Sequence, residues 1–109
     1  MTTFVSEFIA HDFQNLKEAA DFMMKYKEKV NVIEDEKDKY LFSSTESIIR
    51  GMFCWDLGYD ETDYDIREGQ IAITKKLLPV LEHEKQKRVF DNWLVIYGPG
   101  GYFSLPKKK

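Results

Sequence analysis

Val30-Asn31-Val32-Ile33-Glu34-Asp35-Glu36-Lys37-Asp38-Lys39-Tyr40-Leu41-Phe42-Ser43 is the stretch whose reading decides the fold. Two apolar pieces, residues 30–34 and 39–43, flank the charged run Asp35-Glu36-Lys37-Asp38. Short apolar runs on either side of a polar turn predict a β-hairpin. Ser43-Ser44-Thr45-Glu46 follows, and Ser43 with Glu46 three residues on fits a capping box. A helix is therefore expected to begin there and to carry Ile48, Ile49, Met52, Phe53, Cys54, Trp55 and Leu57. These residues point in nearly every direction, which makes this the most buried helix, with Cys54 an inert thiol inside it. Gly58 suits the position just past its end, where a residue without Cβ turns left-handed at low cost.

Upstream, residues 3–9 alternate Phe4, Ser6 and Phe8 with Val5, Glu7 and Ile9, a strand with apolar side chains on both faces. Asp12 is placed to cap a helix running to about Lys29. At about 100° per residue, Phe13, Leu16, Ala19, Ala20 and Met23 fall along one line, while Phe22 lies off it. Downstream, Thr62 is expected to cap a third helix with Asp63 and Asp65 in its first turn, where the helix dipole favours negative charge. Its stripe is Ile66, Gly69, Ile73, Leu77, Val80 and Leu81, and Pro79 is expected to kink or break it. The polar run of residues 82–88 reads as its end. Residues 93–97 and 102–105 then flank Gly98-Pro99-Gly100-Gly101, which predicts a second hairpin. The order β-α-β-β-α-α-β-β makes the expected fold class α+β: a small single-domain sandwich, an antiparallel sheet of hairpins packed on about three helices.

The chain has 109 residues, the length of one domain. Residues 1–106 are read as that domain and 107–109, all lysine, as a basic C-terminal tail. A content of 43% hydrophobic and 15% aromatic residues is ample for a core. Cys54 is the only cysteine, so an internal disulfide framework is excluded. Residues 1–7 do not read as a signal peptide and no apolar run approaches the ~20 residues that span a bilayer. A reduced, soluble, cytoplasmic protein with no membrane role is expected.

Charge points toward function. The net charge is −3, and with the three tail lysines set aside 13 basic residues face 19 acidic ones, a body charge of −6. Such a body disfavours direct nucleic-acid binding, because phosphates call for cations on the protein. The acid is concentrated in residues 55–68, where Asp56, Asp60, Glu61, Asp63, Asp65 and Glu68 face only Arg67, a local charge of −5. Trp55, Tyr59 and Tyr64 are interleaved with them. Crowded carboxylates repel unless they lie in water or face a cation, and aromatics beside them supply contact area.

The motifs of common chemistries are missing. A calcium loop starting at Asp63 would place Arg67 at its fifth position, Glu68 where glycine is needed, and Thr74 at its twelfth. His11 and His83 lack ligand partners at metal-binding spacing. The glycines at 98, 100 and 101 precede Tyr102-Phe103-Ser104 rather than the Lys-Ser/Thr of a phosphate loop. No catalytic residue, metal or cofactor is therefore assigned, and an enzyme is disfavoured.

The leading expectation is a small acidic protein-binding inhibitor that blocks a basic surface of its target, including one built for nucleic acid. Bacterial toxin-immunity proteins and phage anti-defence proteins are small, acidic, cofactor-free domains of this general kind, and the matching partner would be a toxin, nuclease or defence effector. The candidate contacts are Trp55, Tyr59, Asp60, Glu61, Asp63, Tyr64, Asp65 and Glu68. One alternative is a small enzyme or ligand-binding domain, requiring at least two of Glu7, His11, Asp56, Asp60 and Glu61 in one concavity. Another is an accessory or oligomeric structural subunit, permitted if aromatics such as Phe22 are uncovered.

Overall fold

Asp35 does not sit in a turn between strands; its side chain caps a helix. In the computed structural model, which describes residues 3–56 and 63–105, Asp35 Oδ1 accepts from the backbone amides of Lys37 at 2.8 Å and Asp38 at 3.1 Å. From that cap a single 19-residue helix runs over Glu36–Cys54. Five α-helices make up the described chain: α1 (Phe4–Ala10), α2 (Leu16–Tyr26), α3 (Glu36–Cys54), α4 (Tyr64–Leu77) and α5 (Glu84–Tyr97). Short 3-10 turns follow α2 at Lys27–Val32 and α4 at Leu78–Val80.

The expected α+β sandwich is therefore corrected, since the described residues are helical and contain no strand. The first hairpin fails because its second strand is the first turns of α3. Leu41, Phe42, Thr45, Ile48, Ile49 and Met52 form one buried stripe at helical spacing. The capping box assigned at Ser43 lies inside this helix: Ser44 and Thr45 are buried, and Thr45 Oγ1 returns a hydrogen bond to Leu41 O at 2.7 Å. The expected strand at residues 3–9 is α1, which buries Phe4 and Phe8 one turn apart. The expected strand at residues 93–97 is the C-terminal end of α5, and residues 84–88 of the polar run are that helix's beginning.

Other expectations hold. Leu16, Ala19 and Met23 are buried and Ala20 partly buried along the α2 stripe, and Phe13 is buried just ahead of it, although the helix runs from an Asn15 cap to Tyr26 rather than from Asp12 to about Lys29. The α-helical part of α4 stops at Leu77, two residues before Pro79. Phe22 is covered, lying 5.5 Å from Phe8 and 5.6 Å from Phe13 in an aromatic cluster that also holds Phe4, Tyr26 and Phe42. Phe22 is thus partly buried and packed, while Phe53, Trp55, Tyr102 and Phe103 are exposed aromatics among the described residues.

The helices form a flat body about 20 Å through its thinnest direction, the depth of two helix layers. α3 packs centrally against α1, α2 and α4, and α5 joins through α4 and the Leu78–Val80 turn. Side-chain clips tie the ends together. Asp38 accepts from the first two amides of α1, Phe4 N at 2.8 Å and Val5 N at 3.3 Å. The Gln86 amide of α5 donates to Met52 O near the end of α3 at 2.6 Å. α4 comes close to α3 at Gly69, where an added Cβ would lie 2.6 Å from a Leu41 methyl. Among the described residues, no helix is long and apolar enough to cross a membrane.

Candidate functional site

Three helix N-termini, those of α1, α3 and α4, meet at one end of the molecule. Each presents backbone N–H groups and a partial positive charge, which draws carboxylates there. Asp35 caps α3, Asp38 reaches across to α1, and Asp63 caps α4 by accepting from Ile66 N at 3.1 Å. Lys37 bridges α3 to α4, its Nζ 2.6 Å from Asp65 Oδ2 and 3.5 Å from Asp63 Oδ2. The hydrogen bond that Lys37 donates to Asp65, aided by the neighbouring Asp63, raises the Lys37 pKa above its usual value. Both side chains of the Lys37–Asp65 pair are about half exposed, so this bridge adds little to stability.

A groove of about 320 Å³ opens among these ends, bordered by Asp35, Lys37, Asp38 and Asp65 and continued along α4 by Glu68 and Ala72. On the adjoining face of the same helix lies a cavity of about 480 Å³. Tyr64, Glu68, Ile71, Ala72 and Lys75 form its α4 wall, spaced one helical turn apart, and Tyr97, Pro99 and Leu105 face them. Glu68 and Ala72 line both concavities. The Tyr64 hydroxyl shares a hydrogen bond with Glu68, and this bond is the main cause of a tyrosine pKa raised above its usual value.

Arg67 holds the far wall. It is buried on α4 and its Nη1 donates to Phe103 O at 2.8 Å and Tyr97 O at 3.4 Å. Its guanidinium lies 5.2 Å from the Tyr97 ring, which stacks between Trp93 and Phe103. The glycine-rich segment read as a hairpin turn instead folds back over the end of α5. Gly100 has φ +80°, and Gly101 approaches so closely that a Cβ would lie 2.1 Å from Val95 O. Phe103 N donates to Ile96 O at 2.9 Å and closes this strap.

The eight sequence-derived contacts are placed unevenly. Asp63, Tyr64, Asp65 and Glu68 come together at the start of α4, although Asp63 is the cap itself rather than a first-turn residue. Tyr59, Asp60 and Glu61 lie outside the described residues, as do Thr62, Gly58 and the tail lysines. Trp55 lies elsewhere, in a cleft with Phe53, Leu81 and His83, 42% exposed and 5.5 Å from the His83 ring. It ends α3 itself, in a left-handed conformation with φ 61°. Cys54, expected in the core, is exposed. The sequence reading missed Lys37, Arg67, Ile71, Ala72 and Leu105. A second stripe on α4, residues 64, 68, 71, 72 and 75, was the available signal for the cavity wall.

Of the residues named for the alternative pocket, Glu7, His11 and Asp56 are described and Asp60 and Glu61 are not. Glu7 accepts from the Tyr26 hydroxyl at 2.6 Å, and His11 packs 4.7 Å from the Phe13 ring. Neither they nor Asp56 line the groove or the cavity. No group of three His, Cys, Asp or Glu among the described residues is arranged to hold a metal ion. Comparison of the chain with protein-family models, curated proteins and solved structures found no match.

Proposed function

We propose that this chain is a small acidic inhibitor that binds a basic surface of a target protein through the exposed face of α4. One observation carries the reading: Glu68 and Ala72 border both the carboxylate groove and the apolar cavity. Charge that steers a basic partner and area that holds it therefore lie side by side on one helix. Asp35, Asp38 and Asp63 are engaged with backbone amides, whereas Asp65, paired with Lys37, and Glu68, bonded to the Tyr64 hydroxyl, are exposed on α4. Lys37 is the local stand-in for a partner's cation, since it already sits on Asp65. Inhibitors of the toxin-immunity or phage anti-defence type work in this way, by covering a cationic surface of a toxin, nuclease or defence effector.

The test is affinity capture from the source cell, followed by measured binding of the captured protein to Asp65→Lys and Glu68→Lys. Charge reversal at either position should weaken binding about tenfold or more, and affinity should fall as salt rises. Folded variants that bind as tightly as the parent, at low and at high salt, would remove the role assigned to α4.

A further inference from the structure

We infer that the cavity beside α4 receives one bulky aliphatic or aromatic side chain from a lysine- or arginine-bearing segment of the partner, with the cation docked over Glu68, beside the Lys37–Asp65 pair. This rests on the reading of α4 as the partner-facing helix and adds the chemistry of what docks there. Its size is the first argument. About 480 Å³ falls within the range of clefts that bury a small ligand, which leaves ample room for a large side chain. The lining is the second. Ile71, Ala72, Pro99 and Leu105 present carbon, and the buried Arg67 is engaged by the carbonyls of Tyr97 and Phe103 and by the Tyr97 ring.

Charge sets the direction of the segment. Glu68 stands at the end shared with the acidic groove, where Asp65 lies, and Lys75 borders the cavity further along α4. A basic residue belongs at the Glu68 end and a neutral or acidic one at the Lys75 end; the reverse order places like charges together. Preorganisation is the third argument. One wall is a helix and the other a strap closed by Arg67 and by the Phe103 N to Ile96 O bond, so docking need not order either.

The experiment titrates the intact chain with synthetic peptides and follows backbone amide resonances. The first peptide carries one tryptophan preceded by lysine and arginine; the second has alanine for tryptophan; the third has glutamate for the basic residues. The first should shift Ile71, Ala72 and Leu105 saturably. Loss of the tryptophan should weaken binding at least tenfold, and the glutamate peptide should not bind. Ala72→Trp, or the smaller intrusion Ala72→Met, should cancel the advantage of the tryptophan. Equal binding with and without tryptophan, or no shift at the cavity residues, overturns the anchor. The captured partner separates the two readings. If Ala72→Trp leaves capture intact while Glu68→Lys abolishes it, the anchor is overturned and the acidic face stands; if neither has an effect, both fall.

Discussion

Asp38 shows what a single residue contributes here. It occupies the first turn of α3, yet its carboxylate satisfies two orphan amides of α1, thirty-three and thirty-four residues away in the chain. Without it those amides are left unpaired in a partly buried place, and a seven-residue helix has little stability of its own. Tyr26 is coupled in the same region. Burial, and then the hydrogen bond to Glu7, push its pKa up to about 12. The unfolded value is about 10, so the folded state favours the protonated phenol. That contribution is complete below about pH 10 and is lost as pH rises towards 12, because the unfolded chain gives up its proton first. Urea denaturation across this alkaline window should show stability falling, and Tyr26→Phe should flatten the fall. An unchanged slope in the variant would show that other groups carry it.

At the scale of elements, α3 decides between the two folds. If residues 39–43 were a strand and the helix began after Ser43, then Ser44 would be the first helical position, where proline is well tolerated. In the structure Ser44 is buried deep within a continuous helix. Ser44→Pro should therefore destabilise by about 3 kcal/mol or more, and Ser44→Ala by far less. Chemical denaturation monitored by circular dichroism measures both; near-equal stability of the proline and alanine variants would speak for the hairpin. The signals for α3 were present in the sequence: Asp35 before an acidic first turn, and Leu41, Phe42, Ile48, Ile49 and Met52 at helical spacing. They were hidden by a local match, Ser43 with Glu46, that divided the stripe into a strand and a shorter helix. The same happened at α5, where the glycine-rich strap resembles a hairpin turn and its preceding helical turn resembles a strand.

At the scale of the whole molecule, a core cluster runs from Phe4 and Phe8 through Ile48 and Met52 to Ile73, Leu77 and Phe90. Helices drawn from both ends of the chain share it, so they should unfold together. Trp55 at the end of α3 and Trp93 within α5 report from different places. Thermal unfolding by tryptophan fluorescence and by far-ultraviolet circular dichroism should give coincident curves. Separate transitions would mean that α5 and its strap form an independent unit. The surface proposed to meet a partner belongs to this scale as well, because α1, α3 and α4 each bring an N-terminus to the groove and α5 brings the far wall of the cavity.

The sequence by itself determined the chemistry of the molecule: its acidity, the concentration of carboxylates before and within α4, the α2 stripe, the break at Pro79, and the place of Tyr64, Asp65 and Glu68 together. These follow from composition, period and the fixed geometry of proline, which act over a few residues. Only the tertiary structure decided that apolar pieces of four or five residues belong to long helices, since a short run has no period that separates strand from helix. It also decided that Trp55 and Cys54 leave the core, that Lys37 meets Asp65, and that Arg67 closes a cavity with the strap. Each of those depends on which distant surface a side chain meets, and burial against a neighbouring helix outweighs local preference wherever the two compete.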